Sequence, residues 1–148
     1  MNQVFRTTLN DTAIQRRAQV FTILEEVCQD LEWTQSQFER ARTSYEAVAD
    51  WLAGSSDPLL ASLHVYLHGS GALGTSIKPI GRDEFDVDLI SFISGLGPEI
   101  APGRLKAAVG ARLREHTYYA SILDEKKRCW RLDYSGEFHL DISPTIAN

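Results

Sequence analysis

The sequence predicts an α+β fold in which a small mixed sheet is backed by helices and preceded by a long helical segment. Apolar residues recur at three- and four-residue steps over the first third of the chain, as on amphipathic helices. After that segment, short runs rich in β-branched and aromatic residues alternate with Gly and Pro, which is typical of strands and turns. At 148 residues the chain is long enough to bury a core, and we expect a single domain.

A helical segment is predicted over about 11–53. Possible capping boxes at Thr34 and Ser36 favour a second helix that ends near Gly54. The pattern leaves open whether the segment is two helices or one helix bent near Trp33. The apolar stripe of the first helix consists of Ile14, Ala18, Phe21, Leu24, Val27 and Leu31.

The sheet is predicted from about residue 63 onward. Strands are expected at 63–67, 85–93, 118–123, 129–134 and 138–142, with a helix at 102–116. The last two strands are expected to form an antiparallel hairpin, and Pro144 is expected to end the final strand.

Composition excludes several classes of function. A formal net charge of -5, with 24% charged residues, gives no extended basic surface for nucleic acid or an anionic membrane. Cys28 and Cys129 have no metal-ligand spacing, and both are expected to be buried thiols in a reducing compartment. The absence of a signal core or a membrane-length apolar run predicts a cytoplasmic protein.

Three carboxylates and a Gly-Ser turn are the candidate functional residues. Asp86 and Asp88 share one face of the predicted strand 85–93, because side chains two apart in a strand point the same way. Gly69 and Ser70 follow a predicted strand, and Asp141 lies on another. A turn that grips phosphate, followed by carboxylates on one strand face, can hold divalent cations against a nucleoside triphosphate. The sequence therefore predicts a metal-dependent nucleotidyltransferase.

Each residue has a chemical role in this prediction. Two Mg²⁺ (or Mn²⁺) ions about 3.5–4 Å apart align an attacking hydroxyl and a leaving group, and Mg²⁺ prefers oxygen ligands. We expect Asp86 and Asp88 to bind both ions and Asp141 to complete the site of the ion that activates the hydroxyl. Gly69 lets backbone approach phosphate closely, and Ser70 adds a donor. A distance of more than about 8 Å between Asp141 and the other two aspartates, Asp86 and Asp88, would contradict their assignment to one metal site.

Simpler interpretations exist for each of these features alone. A Gly-Ser pair after a strand is usually only a turn, and a lone Asp-x-Asp is most often a polar strand face. The combination argues against them, because burying several carboxylates on one face without cations is unfavourable. Asp83 and Glu84 are not expected to be ligands, and His139 is expected to lie off the face of Asp141.

With these residues, the chain resembles the polymerase-β-like nucleotidyltransferase superfamily, which has a Gly-Ser turn, Asp-x-Asp and a distant third carboxylate. The stretches at about 66–90 and 138–144 look like those of the bacterial cGAS/DncV-like enzymes. The resemblance implies synthesis of cyclic di- or trinucleotides from ribonucleoside triphosphates in anti-phage (CBASS) operons. It also implies ATP binding and CBASS regulatory proteins as partners, while the acidic charge and the lack of a membrane-length apolar run predict no strong nucleic-acid binding and no membrane.

The resemblance also implies a second lobe. Family members run on well past the third carboxylate in a mostly helical lobe, whereas this chain ends seven residues after Asp141. We therefore expect 1–148 to be the catalytic domain alone, with weak or no cyclase activity. Transfer to an RNA end or a protein hydroxyl, and a silent domain that binds a nucleotide or a partner, are the alternatives.

Overall fold

The computed structural model describes residues 2–78, 84–95 and 100–146, with side chains described from Thr12 onward. Two compact units are present, 1–32 and 33–148. The prediction for Asp83 lies outside the described residues. The elements, in chain order, are α1 Asn2–Leu31, α2 Gln35–Ala53, a 3-10 helix Pro58–Leu60, β1 Leu63–Leu67, α3 Gly69–Leu73, β2 Phe85–Ile93, α4 Pro102–Arg114, α5 Thr117–Ile122, β3 Leu123–Glu125, β4 Trp130–Tyr134 and β5 Phe138–Ile146.

The first unit is the helix α1. It begins at Asn2, earlier than predicted, and continues without a Gly or Pro to Leu31. Apolar side chains of the predicted stripe are largely exposed, with Phe21 at 70%. Cys28 is also exposed, so the expectation of a buried thiol is wrong there, because its helix has no core of its own to bury it in. Within the described residues, no helix has the length and hydropathy needed to cross a bilayer.

The second unit begins with a capped helix, which settles the open choice in favour of two helices. The Thr34 hydroxyl accepts from the Gln37 N–H, and the Gln37 side chain accepts from the Thr34 N–H. The predicted capping box at Thr34 is therefore confirmed. α2 then buries Ala41, Val48 and Leu52 in the core.

A five-stranded mixed sheet organises the second unit and confirms the predicted fold class. Its strand order is β1-β2-β5-β4-β3, with β2 and β5 parallel and every other pair antiparallel. Alternation along each strand places one face in the core, as for Val87, Leu132 and Leu140. The predicted hairpin of the last two strands is confirmed by the pairing of β4 with β5. The opposite sheet face carries both polar and apolar side chains, Asp86 and Phe92 among them.

One predicted strand and the predicted end of another are wrong. The segment 118–123 is not a strand but mainly the helix α5, because His116 Nδ1 caps it by accepting from the Tyr119 N–H at 3.4 Å. β5 runs past Pro144 to Ile146 instead of stopping there. In the described pairing β4 reaches β5 only as far as Ile142, so Pro144 lies where β5 is an edge on that side and a missing N–H is tolerated.

Gly110 in α4 is required by the packing of Trp130. A Cβ at Gly110 would overlap the indole ring, whose Nε1 donates to the Lys106 carbonyl at 2.7 Å. We expect Gly110→Ala to lower the free energy of unfolding by about 0.5–2 kcal/mol, because overpacking outweighs the gain in helix propensity.

Urea unfolding checks this prediction, with Gly103→Ala in the same helix as the control. Among the described residues no heavy atom lies within 4 Å of a Cβ at Gly103, so that variant should be neutral or gain up to about 1 kcal/mol. Equal changes in the two variants would contradict a packing role for Gly110.

Candidate active site

The candidate site lies on the sheet face opposite the core. Strand alternation directs Asp88 of β2 outward, and the register places it beside Asp141 of β5. Asp141 in turn lies beside Arg131 of β4. Three neighbouring strands thus contribute one charged side chain each to a single row.

Arg131 joins two of the predicted carboxylates. Its Nε and Nη2 donate to Asp141 at 2.7 and 2.8 Å, and Nη2 also donates to Asp86 Oδ1 at 3.2 Å. The pKa of Arg131 is raised, chiefly by its hydrogen bond to Asp141. Arg131 Nη2 contacts both Asp86 Oδ1 and Asp141 Oδ2. These two oxygens can therefore be no further apart than the sum of the two hydrogen-bond lengths, 3.2 and 2.8 Å. Asp86 and Asp141 therefore meet the distance condition for a shared site.

Burial and the neighbouring negative charges both act on the carboxylate of Asp88. Partial burial, followed by the charges of Asp141 and Asp86, raises the pKa of Asp88 above its ordinary value. A divalent cation among these carboxylates would remove that repulsion. The donor set is all oxygen, as Mg²⁺ prefers, and an oxygen bonded to Arg131 keeps a lone pair for coordination. The three aspartates therefore offer the kind of donor atom that a divalent ion prefers.

The Gly-Ser turn packs directly on Asp88. Gly69 has φ +59°, and a Cβ at this position would overlap Asp88 Oδ2. The His68 N–H donates to the Asp88 carbonyl at 2.7 Å and fastens the turn to β2. Glycine is thus required at position 69 both for its backbone conformation and for the close approach.

Ser70 lies beside a small cavity next to the carboxylates. Its hydroxyl accepts from Ser76 Oγ at 3.0 Å. Ser70, Thr75, Ser76 and Asp86 are among the residues that line a cavity of about 260 Å³. Ligand pockets are commonly about 300–1,000 Å³, so this volume suits part of a nucleotide better than a whole one. The structure thus brings both parts of the predicted site together, although their roles remain predictions.

A second polar cluster occupies the next row of the same face. His139 lies beside Asp86 on one side and Asp133 on the other. Its Nδ1 is 3.2 Å from Glu84 Oε2 and 3.7 Å from Asp133 Oδ1. The prediction that His139 lies off the face of Asp141 is wrong, because residues two apart in a strand share a face.

Sequence reasoning missed Arg131 and the cluster around His139. The predicted hairpin indicated that residue 131 lies near the strand of Asp141, but a turn at 135–136 sets it opposite 140, and only the observed three-residue loop 135–137 sets it opposite 141. Charged residues alternating with Trp130 and Leu132 also indicated an outward-facing side chain.

The arrangement defines the class of protein. A Gly-Ser turn packed on an Asp-x-Asp strand, with a third carboxylate on the parallel neighbour, is the architecture of a polymerase-β-like nucleotidyltransferase. The chain belongs to the family of the Second Messenger Oligonucleotide or Dinucleotide Synthetase (SMODS) domain, whose model matches residues 19–148. The resemblance to the cGAS/DncV-like nucleotidyltransferases is thereby confirmed.

Individual relatives agree with this assignment. A c-di-GMP synthase of Roseivirga ehrenbergii is 35% identical over 131 residues, covering 86% of this chain and 34% of that protein. The solved structure of CdnG from Bradyrhizobium diazoefficiens in complex with GTP has a TM-score of 0.67 and 27% identity, over 80% of this chain and 35% of that one. Escherichia coli DncV, bound to 3'-deoxy GTP, has a TM-score of 0.65 at 12% identity, over 82% of this chain and 49% of that one, and shows the fold alone.

The chain thus spans only part of these proteins. It corresponds to 34% of the length of the c-di-GMP synthase and to 29% of a second curated relative, the cyclic dinucleotide synthase CdnG, which is 30% identical over 127 residues and 83% of this chain.

Proposed function

We propose that the chain is the catalytic domain of a metal-dependent nucleotidyltransferase that makes a cyclic di- or trinucleotide second messenger from ribonucleoside triphosphates. The observation that carries the proposal is the packing of Gly69 against Asp88, which supports a phosphate-binding turn beside the carboxylates. The relatives named as cyclic dinucleotide synthases support the product class. The proposal includes a role in anti-phage defence, ATP or another triphosphate as substrate, a cytoplasmic location, and a helical lobe outside residues 1–148.

The proposed mechanism assigns the binding of Mg²⁺ or Mn²⁺ to Asp86, Asp88 and Asp141. Two such ions, when bound, lower the pKa of an attacking hydroxyl and offset charge on the leaving phosphate. Gly69 leaves room for phosphate to approach the backbone, and the Ser70 hydroxyl donates to a phosphate oxygen. Arg131 holds Asp141 in a fixed orientation through two hydrogen bonds, which prepares its carboxylate before any ligand binds.

Incubation with Mg²⁺ or Mn²⁺ and the four ribonucleoside triphosphates, read by mass spectrometry, tests the proposal together with triphosphate binding by calorimetry. We expect binding that depends on the metal and falls at least about 100-fold in the double variant Asp86→Ala, Asp88→Ala, which loses ligands rather than groups that only orient them. Any oligonucleotide product should vanish in the same variant, and its mass would identify the nucleotides used.

Two results would overturn the proposal. Triphosphate binding that is equal in EDTA and Mg²⁺ would exclude a metal-dependent site and favour the silent-domain alternative. Product formation that survives in the double variant would exclude the assigned carboxylates.

A further inference from the structure

We propose that Glu84, Asp133 and His139 bind a divalent transition-metal ion, of which Zn²⁺ is the representative, at a site separate from the three aspartates. The site goes beyond the proposed function, which assigns none of these residues to the triphosphate or its Mg²⁺ ions, although Glu84 also lines the cavity beside Ser70. It would lie one row along the same sheet face, beside Asp86.

The spacing of the three ligand atoms suits a bound metal ion. One ligand atom from each of the three residues lies within 4.8 Å of the other two. Corners of a tetrahedral zinc site are about 3.3 Å apart when the metal–ligand bonds are about 2.0–2.1 Å. The distances from His139 Nδ1, 3.2 Å to Glu84 Oε2 and 3.7 Å to Asp133 Oδ1, are close to that spacing. An ion could therefore be accommodated with only small movements of the side chains.

The three ligand atoms lack hydrogen-bond partners among the described residues. Glu84 Oε2, Asp133 Oδ1 and His139 Nδ1 are all shielded from solvent, and none has a hydrogen-bond partner within the described ranges. His139 Nδ1 is near both carboxylates yet has hydrogen-bond geometry to neither. Shielded polar atoms are usually satisfied, and three that converge on one point indicate a missing ligand. An ion between them would satisfy all three.

A backbone hydrogen bond and the strand pairing hold the three ligands in place. Glu84 Oε1 accepts from the Gly136 N–H at 2.8 Å, which turns the unpartnered Oε2 toward His139. Asp133 and His139 are fixed as register partners on β4 and β5. Backbone and sheet thus orient the ligands before an ion binds, as outer contacts do in metal sites.

The chemistry of the ligands selects the class of ion. Imidazole nitrogen suits Zn²⁺ and other transition metals, whereas Mg²⁺ prefers oxygen alone. Two carboxylates supply the charge for a divalent cation, and three protein ligands leave a fourth position for water. The two neighbouring centres therefore differ in preference, with Mg²⁺ at the aspartates and a transition metal around His139.

The test uses chain stripped of metal and carrying Asp86→Asn and Asp88→Asn, so that ions at the aspartates do not contribute. Titration with zinc chloride by calorimetry should show one ion per chain, which excess Mg²⁺ does not displace. Adding His139→Gln should weaken binding by at least about tenfold, since even the loss of an orienting group costs about 10- to 100-fold. Adding His64→Gln, an exposed histidine on β1, should leave the affinity unchanged.

Glu84→Gln is the second ligand variant and should also weaken Zn²⁺ binding, with circular dichroism to establish that each variant is folded. Saturable binding that is equal in the His139→Gln and His64→Gln variants would overturn the proposal, as would the lack of saturable binding in the starting variant. In either case the cluster is a set of polar contacts that holds no ion. The proposed function would be unaffected, because its carboxylates are already removed from the test.

Discussion

Replacing Asp88 with Asn is expected to abolish metal-dependent triphosphate binding while making the metal-free chain more stable at neutral pH. Burial and the charges of Asp141 and Asp86 raise the pKa of Asp88. A raised pKa means that the folded state favours the protonated form more than the unfolded state does. The associated stability is fully present below the ordinary pKa of Asp and is lost as pH rises through the raised pKa. Above the raised pKa the wild-type chain therefore carries this penalty, which the neutral Asn removes.

Thermal unfolding in EDTA should show a higher melting temperature for the Asp88→Asn variant at pH 7, and the difference should shrink as the pH falls. A shift of about 2–4 °C would correspond to about 1 kcal/mol in a chain of this length. Calorimetry with Mg²⁺ and a non-hydrolysable triphosphate should show binding at least about 100-fold weaker, because a ligand is lost rather than an orienting group.

Asp124→Asn is the matched control. The pKa of Asp124 is lowered, chiefly by a hydrogen bond to Lys126, so the sign of its effect on stability is reversed. Asp124 lies on β3, three strands from β2, where it pairs with Arg131 but contributes no carboxylate to the site of the three aspartates. This variant should gain no stability at pH 7 and should bind the triphosphate normally. An Asp88→Asn variant that melts below the wild type in EDTA at pH 7 would contradict the electrostatic argument.

Gly69→Ala is expected to destabilise the chain by about 2–5 kcal/mol and to remove triphosphate binding. A side chain at φ +59° carries about 1–2 kcal/mol of backbone strain. The added Cβ would also overlap Asp88 Oδ2, and such overpacking typically costs about 1–3 kcal/mol. Relief of the overlap would displace Asp88 from its position beside Asp141, so binding should be lost together with stability.

Gly74→Ala separates the two causes, because Gly74 has φ +65° but no described atom within 4 Å of an added Cβ. Urea unfolding of this control should show only the strain of about 1–2 kcal/mol, with triphosphate binding retained. If both variants lose equal stability and retain binding, the contact between Gly69 and Asp88 has no part in the site.

Much of the site was predictable because it depends on local patterns. The alternation of Phe85, Val87 and Leu89 with Asp86 and Asp88 fixes which side chains of β2 face outward, whatever the neighbouring strands are. The capping box at Thr34 is likewise a local signal. These patterns are short-range, so they can be read from the sequence without a three-dimensional structure.

The contacts that the sequence did not predict depend on pairing between distant segments of the chain. Arg131 reaches Asp86 across 45 positions, and only the insertion of β5 between β2 and β4 brings those strands near. The grouping of Glu84 with Asp133 and His139 depends on the same arrangement. The helix α5 was missed for another reason, because Tyr118 and Tyr119 favour strands intrinsically while a cap at His116 and burial of Tyr119 favour the helix.

The central position of β5 also determines when the site can form during synthesis. Asp86 and Asp88 leave the ribosome well before Asp141, and at about 5–20 residues per second they wait some seconds for it. Pairing over such a separation is slow compared with the formation of helices. A nascent chain that has not yet reached Phe138 can carry the Asp-x-Asp strand, but it has neither the third carboxylate nor the strand that joins the two halves of the sheet. Assembly of the candidate active site and completion of the sheet are therefore the same folding event.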